Sequence, residues 1–130
     1  MKIIDTLAFV FGIIYLFVGL VGFALAPNGG LLLGIFQVNA FHHLFHIGIG
    51  ALGIFAGWKN RGRFYCRLVG GVLIFLGVTG FLVPTLIGAL IASASANLLT
   101  DNMLHLVTGV ILGYFGWTAP SAQSSATEKI

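Results

Sequence analysis

Apolar residues fill four stretches of this chain, 3–26, 41–58, 64–83 and 104–117, the last with a polar lead-in from Asp101. None carries Lys, Arg, Asp or Glu in its middle. A helical run of about 20 apolar residues crosses the roughly 30 Å hydrocarbon layer of a bilayer and satisfies its own backbone groups there. The strict apolar–polar alternation of a membrane barrel is missing from all four. The pattern predicts an all-α integral membrane four-helix bundle over residues 1–118, with a polar, unstructured tail over 119–130. Two further apolar pieces, LLLGIF at 31–36 and LIGALI at 86–91, are too short to cross. They are expected to lie in the interface or to fold back over the end of the bundle.

The four stretches are two pairs. LFVGLVGFALAP at 16–27 matches IFLGVTGFLVP at 74–84, with Gly19, Gly22 and Phe23 aligned on Gly77, Gly80 and Phe81. HIGIGALGIFAGW at 46–58 matches HLVTGVILGYFGW at 105–117, with His46, Gly50, Gly57 and Trp58 on His105, Gly109, Gly116 and Trp117. Two blocks in the same order imply tandem two-helix repeats, about 1–58 and about 64–117. An even number of helices per copy makes the two copies parallel, related by an axis along the membrane normal. His46 and His105 then belong at one depth.

Composition agrees with this reading. Of 130 residues, 58% are hydrophobic and 7% charged, against roughly a quarter charged in soluble domains. The net charge of +3 comes mainly from Lys59, Arg61, Arg63 and Arg67, in and just after the link between the second and third stretches. By the positive-inside tendency that link and both termini are cytoplasmic, in an inner or plasma membrane, and topology rather than nucleic-acid binding accounts for the charge. Ala24-Leu25-Ala26 looks like a signal-cleavage triplet, but the run before it is too long for a signal core and Pro27 follows it, so the first stretch is read as a permanent helix. Cys66 is the single cysteine, which leaves no internal disulfide and no cysteine metal cluster.

The candidate chemistry lies in VNAFHHLFHIGIG at 38–50. On a helical wheel His42, His43, His46, Gly50, Gly53 and Gly57 all fall within about 60° of Asn39. Small residues mark close helix contacts in membranes, so this stripe faces protein. Asp101, Asn102, His105, Gly109 and Gly116 repeat the stripe in the second copy. Asn39, Asp101 and Asn102 suit a helix start, where they would accept from free N–H groups. His46 and His105 would bond a carbonyl or each other and pin the repeats together. Alternatively, His42, His43, His46 and His105 would hold a metal, or His46 and His105 would be axial ligands of a haem or pigment, since imidazole is a common ligand. A proton path would need polar groups continuing through the inner halves of the second and fourth stretches, which are glycine and aliphatic, so a relay would stop halfway. Ser93 and Ser95 lack the setting of a nucleophile. Trp58 and Trp117 read as interfacial anchors, with Lys59 snorkelling beside Trp58.

The motif N-x-x-H-H-x-x-H, preceded by LLGIFQV and echoed as D-N-x-x-H-x-x-x-G, resembles a family of small bacterial four-helix membrane proteins known as domain of unknown function 4383. The resemblance runs from about Leu7 to Trp117. The family motif usually reads N-x-x-H-N-x-x-H, so Asn39, His42 and His46 match it and His43 departs from it. The resemblance implies a topology and no activity. The expected function is therefore a non-enzymatic scaffold or accessory subunit, in contact with lipid and with a partner membrane protein or further copies of itself. The alternative is a haem-, metal- or pigment-binding protein.

Overall fold

Helix ends in this chain fall where a neighbouring residue can terminate the backbone ladder. In the computed structural model, which describes residues 1–91 and 98–120, α1 (Ile3–Leu25) stops just before Pro27. A proline disfavours helical geometry in the residue ahead of it, here Ala26. Asn39 opens α2 (Ala40–Trp58), its side chain accepting from the His42 N–H at 2.8 Å. The helix closes on Asn60, at φ 56°, with Arg61 N–H donating to the Ala56 carbonyl at 2.7 Å. This is a Schellman ending, with asparagine in the left-handed position that glycine usually takes. α3 (Gly62–Leu82) follows at once, and Pro84 begins the short α4 (Pro84–Ile91) at the one helical position where proline loses nothing. α5 (Leu99–Thr118) completes the described chain.

The described residues are thus mostly helical, and three helices, α1, α2 and α3, are long and apolar enough to cross a membrane. α5 is as long, at 20 residues, but begins with Asp101, Asn102 and His105. The expected polar tail lies, from residue 121 on, outside the described residues, as do Ser93 and Ser95. LLLGIF contributes to a small antiparallel β-hairpin, β1 (Gly30–Leu32) and β2 (Phe36–Val38), while LIGALI lies within α4. The hairpin turns at Leu33 and Gly34, both in left-handed geometry (φ 54° and 75°). Leu32 and Val38 are buried, whereas Leu31, Leu33 and Ile35 are exposed.

α1 packs along α2, α3 packs along α5, and lighter contacts from α3 to α1 and α2 join the pairs. Glycines make each close pairing possible. A Cβ on Gly12 would strike Ile54 N, Gly53 C (2.7 Å) and Gly50 O (2.8 Å). One on Gly70 would meet Gly113 and the Gly109 carbonyl, 3.0 Å away. Gly50, Gly53 and Gly57 all face α1, and Gly109 and Gly116 face α3. The small-residue seams are therefore spent on contacts within the chain. Ala8, Tyr15, Ala56, Tyr65, Val69, Leu73 and Leu112 fill the core between them. Val10, Ile13, Phe17, Leu20, Phe64 and Phe75 point outward, giving an apolar exterior suited to a membrane environment.

The two helix pairs are tied at the end where α2 turns into α3. Buried Asp5 in the first turn of α1 accepts from the Gly62 N–H at 2.8 Å. It thereby satisfies one of the free donors at the start of α3.

Gly12→Leu should lower the stability of the detergent-solubilised protein by about 1–3 kcal/mol through overpacking at the seam. Gly48→Ala, where an added Cβ meets nothing within 4 Å, should leave the thermal unfolding midpoint unchanged or raise it slightly. Equal losses for the two variants would disprove the account of the seam.

Candidate metal site

Capping by Asn39 sets the rotation of the first turn of α2, and with it the direction of the histidines. His42, His43 and His46 are all buried, as are Asp101, Asn102 and His105 on α5. The structure separates these residues into three settings.

The first setting is a cluster. One ring nitrogen each of His42, His46 and His105 lies within 4.8 Å of the other two. The His42 ring centroid is 4.4 Å from that of His46 and 5.9 Å from that of His105, and Tyr15 lies 5.4 Å from His46 on the α1 side. His42 Nδ1 is 3.2 Å from the Gln37 carbonyl. A carbonyl only accepts, so this contact requires Nδ1 to carry the proton and leaves Nε2 as the lone-pair nitrogen. Histidine ligands of metals are commonly oriented in this way, by a backbone carbonyl behind the ring. His105 Nδ1 is fully buried and has no hydrogen-bond partner among the described residues.

The second setting is His43. Its Nε2 donates to the Ala26 carbonyl at 2.9 Å, its ring lies over Gly22, and Phe23 packs 5.1 Å away. The helical wheel put His43 on the same stripe as the other two, and it is indeed buried. Its ring, however, reaches the end of α1 instead of the cluster, so the expected group of four histidines is a group of three. The reason is the glycine: without a side chain at position 22, α1 leaves a flat site for the imidazole, and beyond it the Ala26 carbonyl, which also accepts from the Gly29 N–H at 3.0 Å, has a second lone pair to offer.

The third setting holds Asp101 and Asn102. Both were expected to cap a helix, but α5 begins at Leu99, with Leu98 in the cap position and no side-chain cap. They therefore sit inside the first turn. Asp101 Oδ2 accepts from the Gln37 N–H of β2 at 3.1 Å, which fastens the hairpin to α5. Asn102 packs against Gly80 of α3 with Oδ1 unpartnered. Asn39 uses its second group, Nδ2, to donate to the Leu90 carbonyl of α4 at 2.9 Å.

Gln37 is the functional residue that sequence reasoning missed. Its backbone links the carboxyl group of Asp101 to the ring of His42, and only the hairpin brings it there. The available signal was Gly29-Gly30 and Leu33-Gly34 bracketing a short apolar run, a hairpin punctuation.

Compared with known families, the chain matches the model for a domain of unknown function, DUF4383, over residues 5–118. No curated protein and no solved structure matches it.

Asp101→Ala should loosen the hairpin, because the Gln37 N–H loses an acceptor worth about 1–2 kcal/mol. In hydrogen–deuterium exchange the amides of residues 30–38 should then exchange about tenfold faster while those of α1 keep their protection. Unchanged exchange at Gln37 would show that the hairpin is held by something else.

Proposed function

The chain belongs to the DUF4383 family, and within that family of unknown function we propose that it is a four-span membrane protein that binds one transition-metal ion through His42, His46 and His105. The observation that carries the reading is the convergence of one ring nitrogen each from three buried histidines within 4.8 Å, in a cluster where His105 Nδ1 is buried with no hydrogen-bond partner among the described residues. Burying a polar atom without a partner is unfavourable by about 1–3 kcal/mol, and a metal ion relieves this where no donor or carbonyl is present. Imidazole suits zinc, copper, iron or nickel. At metal–nitrogen distances of about 2.0–2.1 Å the three nitrogens stand a little over 3 Å apart, so the rings close up slightly on binding. Three protein ligands leave a coordination position open.

The macrocycle version of the alternative loses support from the same geometry. A haem or pigment held between His46 and His105 needs a flat slot, and the His42 ring stands beside both. For the scaffold version, in which the glycine seams pack the helices internally or receive a partner, the glycine faces named above are occupied by the chain's own helices, which leaves the outer apolar surface for a partner. Partnering through the outer apolar surface is still compatible with metal binding.

Four spans in two tandem copies are supported by matched contacts. Gly12 crosses Gly50 and Gly53 in the first pair, as Gly70 crosses Gly109 and Gly113 in the second; Gly22 packs on His43 as Gly80 packs on Asn102. In this arrangement α5 hides its polar first turn against protein, so that a modest hydropathy is enough for it to span. Lys59, Arg61, Arg63 and Arg67 favour the opposite end as cytoplasmic, with both termini on that side and the histidines near the outer face.

Elemental analysis of protein purified in mild detergent and loaded with zinc should give about one ion per chain. His42→Ala, His46→Ala and His105→Ala should each lose it, and His43→Ala should retain it. A wild-type protein that binds no zinc, copper, iron or nickel would end the proposal.

A further inference from the structure

The histidine cluster forms one end of a pocket of about 330 Å³ between α1, α5 and the hairpin. Asp101 also lines it, its carboxylate engaged by the Gln37 N–H, and the other walls are apolar, among them Phe17, Val18, Val21, Leu32, Phe36 and Leu104. This volume is at the low end of the roughly 300–1,000 Å³ typical of small-molecule sites, enough for one hydrocarbon chain and not for two. The hairpin covers the end nearest the histidines, held by Asp101 to Gln37 and by Gln37 to His42. Sideways the boundary differs. Phe17 (66% exposed), Leu33 (74%) and Leu104 (46%) line the pocket and also face outward. Phe17 lies on a helix long and apolar enough to cross a membrane. In the topology proposed above, the covered end faces the aqueous side and the open flank lies among residues that lipid would bathe.

We propose that this pocket takes a fatty-acid-like amphiphile from the bilayer, its chain along α1 and α5 and its carboxylate at the metal held by His42, His46 and His105. The proposal rests on the metal reading above. Three neutral imidazoles add no charge of their own, and the Asp101 carboxylate in the pocket lining offsets at most one unit, so a bound divalent cation keeps a net positive charge and an open position, which an anionic oxygen donor complements. A cationic head would be repelled, and a neutral diacyl lipid does not fit the volume. The chain contributes apolar burial and the head fixes orientation, the usual division of labour in sites of this kind.

The test uses full-length, zinc-loaded protein in phosphatidylcholine nanodiscs and a dodecanoic acid carrying a terminal photoreactive diazirine. Mass spectrometry maps the adducts, and elemental analysis is run on the same samples. Labelling should concentrate on Ile14, Phe17 and Val18, the lining residues of α1 furthest from the hairpin. It should fall about tenfold, a change equivalent to about 1.4 kcal/mol of binding, with excess unlabelled dodecanoic acid, with the methyl ester of the probe, or after zinc is removed by chelation. Val18→Trp and Leu104→Trp, which fill the pocket from partly exposed positions, should reduce labelling similarly with zinc content unchanged. Zinc present but adducts spread evenly over the outward faces of α1, α3 and α5 would overturn the pocket proposal and leave the metal site standing. Labelling indifferent to the ester or to chelation would overturn the placement of the head. Absence of zinc from the wild type would overturn the metal reading, and this proposal with it.

Discussion

Close approach of helix backbones at glycine is the constraint on which the rest of this molecule depends. Lipid tails are as apolar as leucine, so helices in a membrane gain little from hiding apolar side chains from their surroundings. What holds them is packing, and small residues improve it by letting the axes draw together. At Gly12, Gly50 and Gly53 the main chains of α1 and α2 meet with no side chain between them, and Gly70, Gly109 and Gly113 do the same for α3 and α5. Large apolar residues are consequently pushed to the outside, where Ile13, Phe17, Leu20 and Phe75 are exposed.

The seams also fix where polar groups go. Because α2 is locked to α1 and α5 to α3, the first turns of α2 and α5 are held beside one another, and His42, His46 and His105 meet across the boundary between the two pairs. α1 and α5 diverge enough to leave a pocket there. The hairpin closes its end through Gln37, whose N–H and carbonyl engage Asp101 and His42. A polar cluster in this position has its backbone partners supplied by an extended segment, which is the part of the chain with main-chain groups to spare. At the other end Asp5 does the same for the Gly62 N–H.

Much of this was legible in the sequence. Apolar runs located the four long helices to within a few residues, since Pro27, Asn39 and Pro84 mark ends by chemistry that does not depend on tertiary context. The fourth helix is the exception: it starts at Leu99, ahead of the apolar run, because burial against the hairpin and α3 lets Asp101 and Asn102 sit inside the helix instead of capping it. The hairpin was hidden because its strands, GLL and FQV, have three residues each, too few to establish a period. Leu32 and Val38 face protein while Leu31 and Ile35 face outward, so no alternation was visible. The glycine stripe gave the buried face of α2 correctly, but a wheel cannot tell which of several inward rings meet. That depends on what stands opposite, and only the packed structure has Gly22 opposite His43.

The contrast between His43 and its neighbours bears on what the cluster is for. All four histidines are buried, so burial alone does not distinguish a structural imidazole from a ligand. His43 shows how this fold settles a structural one: a glycine on the facing helix makes room, a carbonyl at the end of that helix accepts from Nε2, and an aromatic ring covers the side. His105 has no such settlement, since its Nδ1 is buried with nothing to bond. His42 has a carbonyl behind it, yet that carbonyl takes the proton on Nδ1 and leaves Nε2 as an acceptor. Three rings meeting in one buried place, with His105 Nδ1 unpartnered among the described residues, are the support for the metal reading proposed above, in which an ion would be held without any ring having to change its protonation.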